Sequence, residues 1–118
     1  MWELFESRKW DEAVSEFADD LVVYWPHTGE SFRGGQNFVE MNRAYPDWDH
    51  IAIDRIVAKR NLVVSQITVT AGPRVFRASS FFEMRSGKIA RLTEYWVEEG
   101  LEKPPAWRAP FAGRTSRS

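Results

Sequence analysis

The chain of 118 residues has room for one ordinary domain and not for two cores of usual size. Six Trp, eight Phe and 43 % hydrophobic residues supply enough apolar surface to fold without disulfide or structural metal, and the lack of Cys excludes a disulfide framework, thiolate catalysis and Cys-ligated zinc. Sixteen basic against seventeen acidic residues give a net charge of -1, which sets up no field to draw in nucleic acid or an anionic membrane, so neither is expected as a partner.

The first segment carries charges at Glu3, Glu6, Arg8 and Lys9, and no later stretch approaches about 18 apolar residues. The expectation is a soluble, cytoplasmic protein. Between Trp2 and Ala18 the apolar positions include Leu4 and Phe5, and Trp10, Ala13, Val14 and Phe17 keep the i, i+3, i+4, i+7 spacing of one helical stripe, with Asp11 and Glu12 suited to its first turn. Asp19-Asp20 breaks that pattern, and Leu21 to Trp25 is a β-rich run stopped by Pro26.

His27-Thr28-Gly29-Glu30 reads as a turn, and Phe32-Arg33-Gly34-Gly35 as the approach to a second helix with Phe38, Met41, Asn42 and Tyr45 on one face, ended by Pro46. Beyond Trp48 the pattern is an antiparallel meander over about 51–58, 62–70, 75–85 and 88–98, with turns at Arg60-Asn61, Gly72-Pro73 and Ser86-Gly87. From 101 to 118 a Pro-, Arg- and Ser-rich tail is expected to run extended, held if at all by Trp107 and Phe111. Helices segregated from a run of hairpins make a single α+β domain over residues 1–118, with the helices on one face of the sheet.

Trp10-Asp11, Phe17-Ala18-Asp19-Asp20, Tyr24-Trp25-Pro26-His27, Phe32-Arg33-Gly34, Tyr45-Pro46, Phe81-Phe82-Glu83, Gly87-Lys88-Ile89 and Glu94-Tyr95-Trp96 succeed one another in an order that spans nearly the whole chain. In that order and spacing the sequence resembles the SnoaL-like branch of the nuclear transport factor 2-like superfamily. The resemblance implies a cystatin-like α+β barrel: a cone of curved, mixed or antiparallel sheet packed on N-terminal helices, with a deep pocket and a homodimer formed through the convex sheet face. It implies no single reaction, because the superfamily includes polyketide cyclases, ketosteroid isomerases, epoxide hydrolases, dehydratases and proteins that only bind. Relatives usually carry a longer first helix, so the helical wall here is expected to be shorter.

Glu94 is the leading candidate for chemistry. Strand alternation puts it in phase with Ala90, Leu92 and Trp96, a carboxyl on an apolar face, where desolvation raises the pKa toward the range useful to a general acid or base. The resemblance agrees, since cyclases and epoxide hydrolases of the superfamily carry a catalytic Asp on their last strand at this place. The plain alternative is a structural carboxyl paired with Arg or Tyr. His27 shares phase with Trp25 and is the candidate proton partner, against the ordinary reading of a solvated turn residue. Epoxide hydrolysis also asks for an Arg and a second carboxylate on a neighbouring strand; Val63, Val64, Ser65 and Gln66 stand there instead, which disfavours that reaction.

Trp25, Tyr45, Trp48, Phe82 and Trp96 suit a pocket for a flat hydrophobic ligand, with Asn42 and Gln66 as orienting amides. His27 and His50 are too scattered for a metal site, and no cofactor is called for. Arg77, Arg91, Thr93 and Tyr95, in the opposite phase, form the face a twofold partner would cover. The resulting expectation is a protein that binds a small hydrophobic ligand, with carbonyl compounds among the candidates. Its rivals are a cofactor-independent isomerase, cyclase or hydrolase using Glu94 as general acid/base, and a dimeric interaction domain.

Overall fold

The computed structural model describes residues 1–45 and 48–113. Two short helices, α1 (Trp2–Glu6) and α2 (Trp10–Val14), lead into β1 (Phe17–Trp25) and β2 (Glu30–Arg33), followed by α3 (Gly35–Ala44). Four strands complete the fold: β3 (His50–Lys59), β4 (Leu62–Ala71), β5 (Arg74–Arg85) and β6 (Lys88–Glu98). They form one curved, open sheet in the order β2-β1-β6-β5-β4-β3, antiparallel except where β1 runs parallel to β6.

The N-terminal stripe predicts one helical segment, and the structure divides it. Arg8 takes a left-handed conformation (φ 56°), a strain of roughly 1–3 kcal/mol for a residue other than Gly. Its side chain offsets that cost: the guanidinium donates to the carbonyls of Glu6, Trp48 and Asp49 at 2.8, 3.2 and 3.3 Å, and lies 3.5 Å from the centroid of the Trp48 ring. Glu6 ties α1 to β3 as well, accepting from Ile51 N at 2.5 Å and pairing with His50 at 3.1 Å. Phe17 belongs to β1 and not to the helix, and Asp19 and Asp20 sit exposed where the β1–β6 register is irregular. The residues 30–33, expected as turn and helix approach, pair with β1 as β2.

The meander follows the sequence closely. Ser86 and Gly87 both have positive φ (53° and 79°), the pair of values that a two-residue type I′ turn requires. A bulge opposite Glu83/Met84 leaves Ala90 unpaired, so Ile89, not Ala90, is the buried neighbour that precedes Leu92 and Glu94. At the edge, β3 is exposed on both faces for most of its length and interrupted by a bulge at Asp54, a device that discourages further strand pairing. The tail makes a 3₁₀ turn at Ala106–Arg108 and leaves Leu101, Trp107 and Phe111 exposed; Pro46 and residues 114–118 lie outside the described residues.

The helices lie on one face of the sheet. Their buried side chains, Trp2, Phe5, Ala13, Phe38 and Val39, meet Phe17, Leu21, Val23, Ile67, Ala78, Phe82 and Leu92. On the other face Tyr24, Phe81, Tyr95 and Val97 are exposed, and Arg77 bridges Thr68, Asp54 and Glu99.

Gly34-Gly35 sets the start of α3. Gly34 has φ 86°, and a Cβ on Gly35 would stand 2.9 Å from the Phe17 Cβ. Overpacking of this kind costs about 1–3 kcal/mol. Gly35→Ala is therefore expected to lower the melting temperature by several degrees, read by calorimetry; an unchanged value would mean that α3 and β1 part without penalty.

Candidate functional site

Inward-facing positions of the central strands are Ser65, Ile67 and Val69 on β4, Ala78, Ser80 and Phe82 on β5, and Leu92, Glu94 and Trp96 on β6. Register pairs Ser65 with Ser80 and Ser80 with Glu94, so three polar residues form a row across an otherwise apolar face. Trp25, the last residue of β1 and one step beyond the Tyr24–Thr93 pair, extends the row past Glu94.

The row is closed by hydrogen bonds. Trp25 Nε1 donates to Glu94 Oε1 at 3.0 Å, Trp96 Nε1 to the same oxygen at 3.4 Å, and Ser80 Oγ to Oε2 at 3.1 Å; at the far end Trp2 Nε1 donates to Ser65 Oγ at 3.0 Å. Glu94 is 1 % exposed. Burial pushes its carboxyl up to about 7, against the downward pull of the donors from Trp25, Ser80 and Trp96. The carboxyl is thus balanced between its two forms near neutral pH, with hydrogen-bond donors and, among the described residues, no basic side chain as its direct partners.

Between this face and the helices lies a cavity of about 210 Å³. Trp2 and Phe5 of α1, Met41 and Asn42 of α3, Tyr45, Trp48, and inward residues of the strands, among them Trp25, Val69, Phe76 and Trp96, wall it. Glu94 is not part of the wall: two of the wall's indoles stand between its carboxyl and the space. Chemically this is an aromatic chamber with an ionisable group one layer behind its lining.

Of the residues singled out from sequence, Trp25, Asn42, Tyr45, Trp48 and Trp96 do line the cavity. Asn42 is oriented by its own helix, its Nδ2 donating to the Phe38 carbonyl at 2.9 Å. Phe82 is buried against Trp2 in the core below, with ring centroids 6.3 Å apart. Gln66 points the other way, because β4 alternation directs Ser65, Ile67 and Val69 inward. His27 is exposed in the turn after β1 and stacks on Trp25 at 5.5 Å, with the indole between it and Glu94. Sequence reasoning passed over Trp2, Phe5, Ser65 and Ser80. The two serines carried the same signal as Glu94, a polar residue in the inward phase of an apolar strand. Among the described residues no group of three or more His, Asp or Glu is placed to hold a metal ion.

Glu94 releases its proton near 4.5 when exposed and near 7 when folded, so between those values the folded state holds a proton that the unfolded chain has lost. Its contribution to stability is full below the lower value and declines by about 3 kcal/mol as pH rises to the upper one. Urea unfolding should show wild type less stable at pH 8 than at pH 5 by about 2–3 kcal/mol from this source, a difference that Glu94→Gln removes. The same pH slope in both proteins would contradict this assignment.

Comparison with known proteins fits this architecture. The chain is similar in structure to a candidate ketosteroid isomerase from Kribbella flavida (25 % identity over 98 % of this chain and 84 % of that one, TM-score 0.84). It is also similar to a nuclear transport factor 2-like protein of unknown function from Burkholderia xenovorans (21 %, 98 % and 89 %, TM-score 0.75) and to an epoxide hydrolase of Mycobacterium tuberculosis (24 %, 81 % and 76 %, TM-score 0.67). No curated protein sequence matches significantly. No described helix is long and apolar enough to cross a membrane. With the SnoaL-like domain model matching residues 1–92, the chain belongs to the SnoaL-like domain family and has the nuclear transport factor 2-like fold.

Proposed function

We propose that this protein binds a compact hydrophobic small molecule of one or two rings in the aromatic chamber. The observation that carries the reading is a cavity of about 210 Å³ lined mainly by aromatic and aliphatic side chains, with the Glu94 carboxyl outside its wall and hydrogen-bonded to two of the lining indoles. That volume exceeds the roughly 150 Å³ that encloses benzene and falls below the roughly 300 Å³ at which pockets for drug-sized ligands begin. A larger ligand would have to protrude.

Binding is favoured over turnover by reach. A general base must come within about 3 Å of the proton it removes. Both Glu94 oxygens already accept hydrogen bonds, and the carboxyl does not border the space. The wall offers a carbonyl ligand few donors, because the N–H groups of Trp2, Trp25 and Trp96 are spent on Ser65 and Glu94, which leaves the task to Asn42, Tyr45 and Trp48.

An acid/base isomerase or cyclase is the second reading. It is favoured by a carboxyl that titrates near 7 in a chain similar to a candidate ketosteroid isomerase. It requires Trp25 and Trp96 to turn away from Glu94, and it predicts Glu94-dependent exchange of α-protons of a cyclic ketone in deuterium oxide. The homodimer expected through the outer sheet face stays part of the proposal, with Tyr24, Phe81, Tyr95 and Val97 as its exposed centre.

A thermal-shift screen of one- and two-ring probes such as indole and 1-naphthol tests the main reading. Ligand at about 100 times its Kd adds about 2.7 kcal/mol, a shift of several degrees. Met41→Trp, which fills the chamber from α3, should abolish the shift while leaving the circular dichroism spectrum unchanged. Shifts that persist in this variant would move the site elsewhere.

A further inference from the structure

The rings around the chamber are oriented, and their orientation limits what they can bind. The indole N–H is that ring's one donor. Trp2, Trp25 and Trp96 all line the cavity and all spend this donor on residues of the sheet, so what they offer a ligand is ring carbon. Phe5, Tyr45, Trp48 and Phe76 add four more rings. An aromatic face is the negative side of the ring quadrupole and attracts a cation within about 6 Å. At the Nε1 edges of two of these rings lies Glu94, hydrogen-bonded to both and, among the described residues, with no basic partner of its own. When it is ionised, donation by the indoles polarises both rings toward a more negative face. Trp48 already holds one cation: Arg8, which is not part of the cavity wall, lies over that ring at 3.5 Å.

We propose that the ligand is an N-alkylated organic cation, a quaternary ammonium carried on a body of at most one ring, seated against Trp25 and Trp96 with the Glu94 carboxylate as its counter-charge behind them. The proposal rests on reading the chamber as a small-molecule site. A primary ammonium brings three N–H donors whose matching would fall to Asn42 and Tyr45 alone, whereas a quaternary one brings none.

Such a ligand couples binding to ionisation. A cation next to Glu94 favours its charged form, so binding below pH 7 releases a proton and affinity rises with pH through about 7. The direct partners of Glu94 on β1, β5 and β6 are Trp25, Ser80 and Trp96, none of which titrates in this range. Around them, His27 stacks on the outer side of Trp25, Glu6 pairs with His50 at the α1–β3 junction, and Glu40 pairs with Arg43 on α3. His27 touches one of the two indoles the ligand is seated against, so it needs its own control.

Isothermal titration calorimetry on the full chain compares phenyltrimethylammonium, which has no proton to lose, with its uncharged isostere tert-butylbenzene at pH 6 and pH 8. Wild type should bind the cation at least about ten-fold tighter than the hydrocarbon at pH 8. It should lose about ten-fold of that affinity at pH 6, as Glu94 goes from mostly ionised to mostly protonated. His27→Gln should keep the pH effect and Glu94→Gln should lose it. If the hydrocarbon binds wild type as tightly as the cation at pH 8, or if Glu94→Gln keeps the pH effect, the charge proposal fails and the hydrophobic site stands. If neither probe binds, nor any ring probe of the thermal-shift screen, both readings fail.

Discussion

A carboxyl group taken out of water with no cation beside it is expensive to ionise, and hydrogen-bond donors that are left unpaired in the same place are expensive as well. Glu94 resolves both problems at once. Two indole N–H groups and one hydroxyl converge on its oxygens, and in doing so Trp25 and Trp96 are fixed as walls of the cavity. An apolar residue at this position would leave two indole donors stranded, at about 1–3 kcal/mol each. The chamber therefore owes its shape and its polarity to one side chain that it does not expose.

The sheet brings this about through register. Ser65, Ser80 and Glu94 fall in one row because β4, β5 and β6 pair without a break at that level, the bulge at Ala90 lying below it. Trp25 reaches the end of the row because β1 runs parallel to β6 and ends there. The opposite wall depends on a short helix that could not hold its place alone. Arg8 and Glu6 fasten α1 to the segment leading into β3, and Arg8 accepts a left-handed backbone to do so. The same guanidinium backs Trp48, so the helix anchor and a cavity wall are one interaction.

Much of this was legible in the sequence. Four hairpin strands, the second helix and the inward phase of Glu94 followed from alternation and from turn residues at Arg60-Asn61, Gly72-Pro73 and Ser86-Gly87. What periodicity missed had local causes. The break at Arg8 depends on carbonyls some 40 residues away, and the helical stripe through Phe17 ended early because tertiary pairing with β6 outweighed spacing. Gln66 was chosen as a polar residue on the right strand but in the wrong phase, while Ser65 beside it held the inward place. Trp2 could be recognised as a cavity wall only once its partner across the sheet, Ser65, was known.

Function narrows from the same geometry. Here the ionisable group sits one layer behind the surface that a ligand would touch, which separates influence on a ligand from contact with it. The account stands on the coupling between the Glu94 carboxyl and the two indoles, and a ¹³C and ¹⁵N NMR titration of the ligand-free protein measures it directly. The Glu94 carboxyl should titrate near 7, the Trp25 and Trp96 Nε1–H resonances should move with the same midpoint, and that of Trp2, bonded to Ser65, should not. A Glu94 midpoint near 4.5, or indole resonances that ignore its titration, would contradict the account.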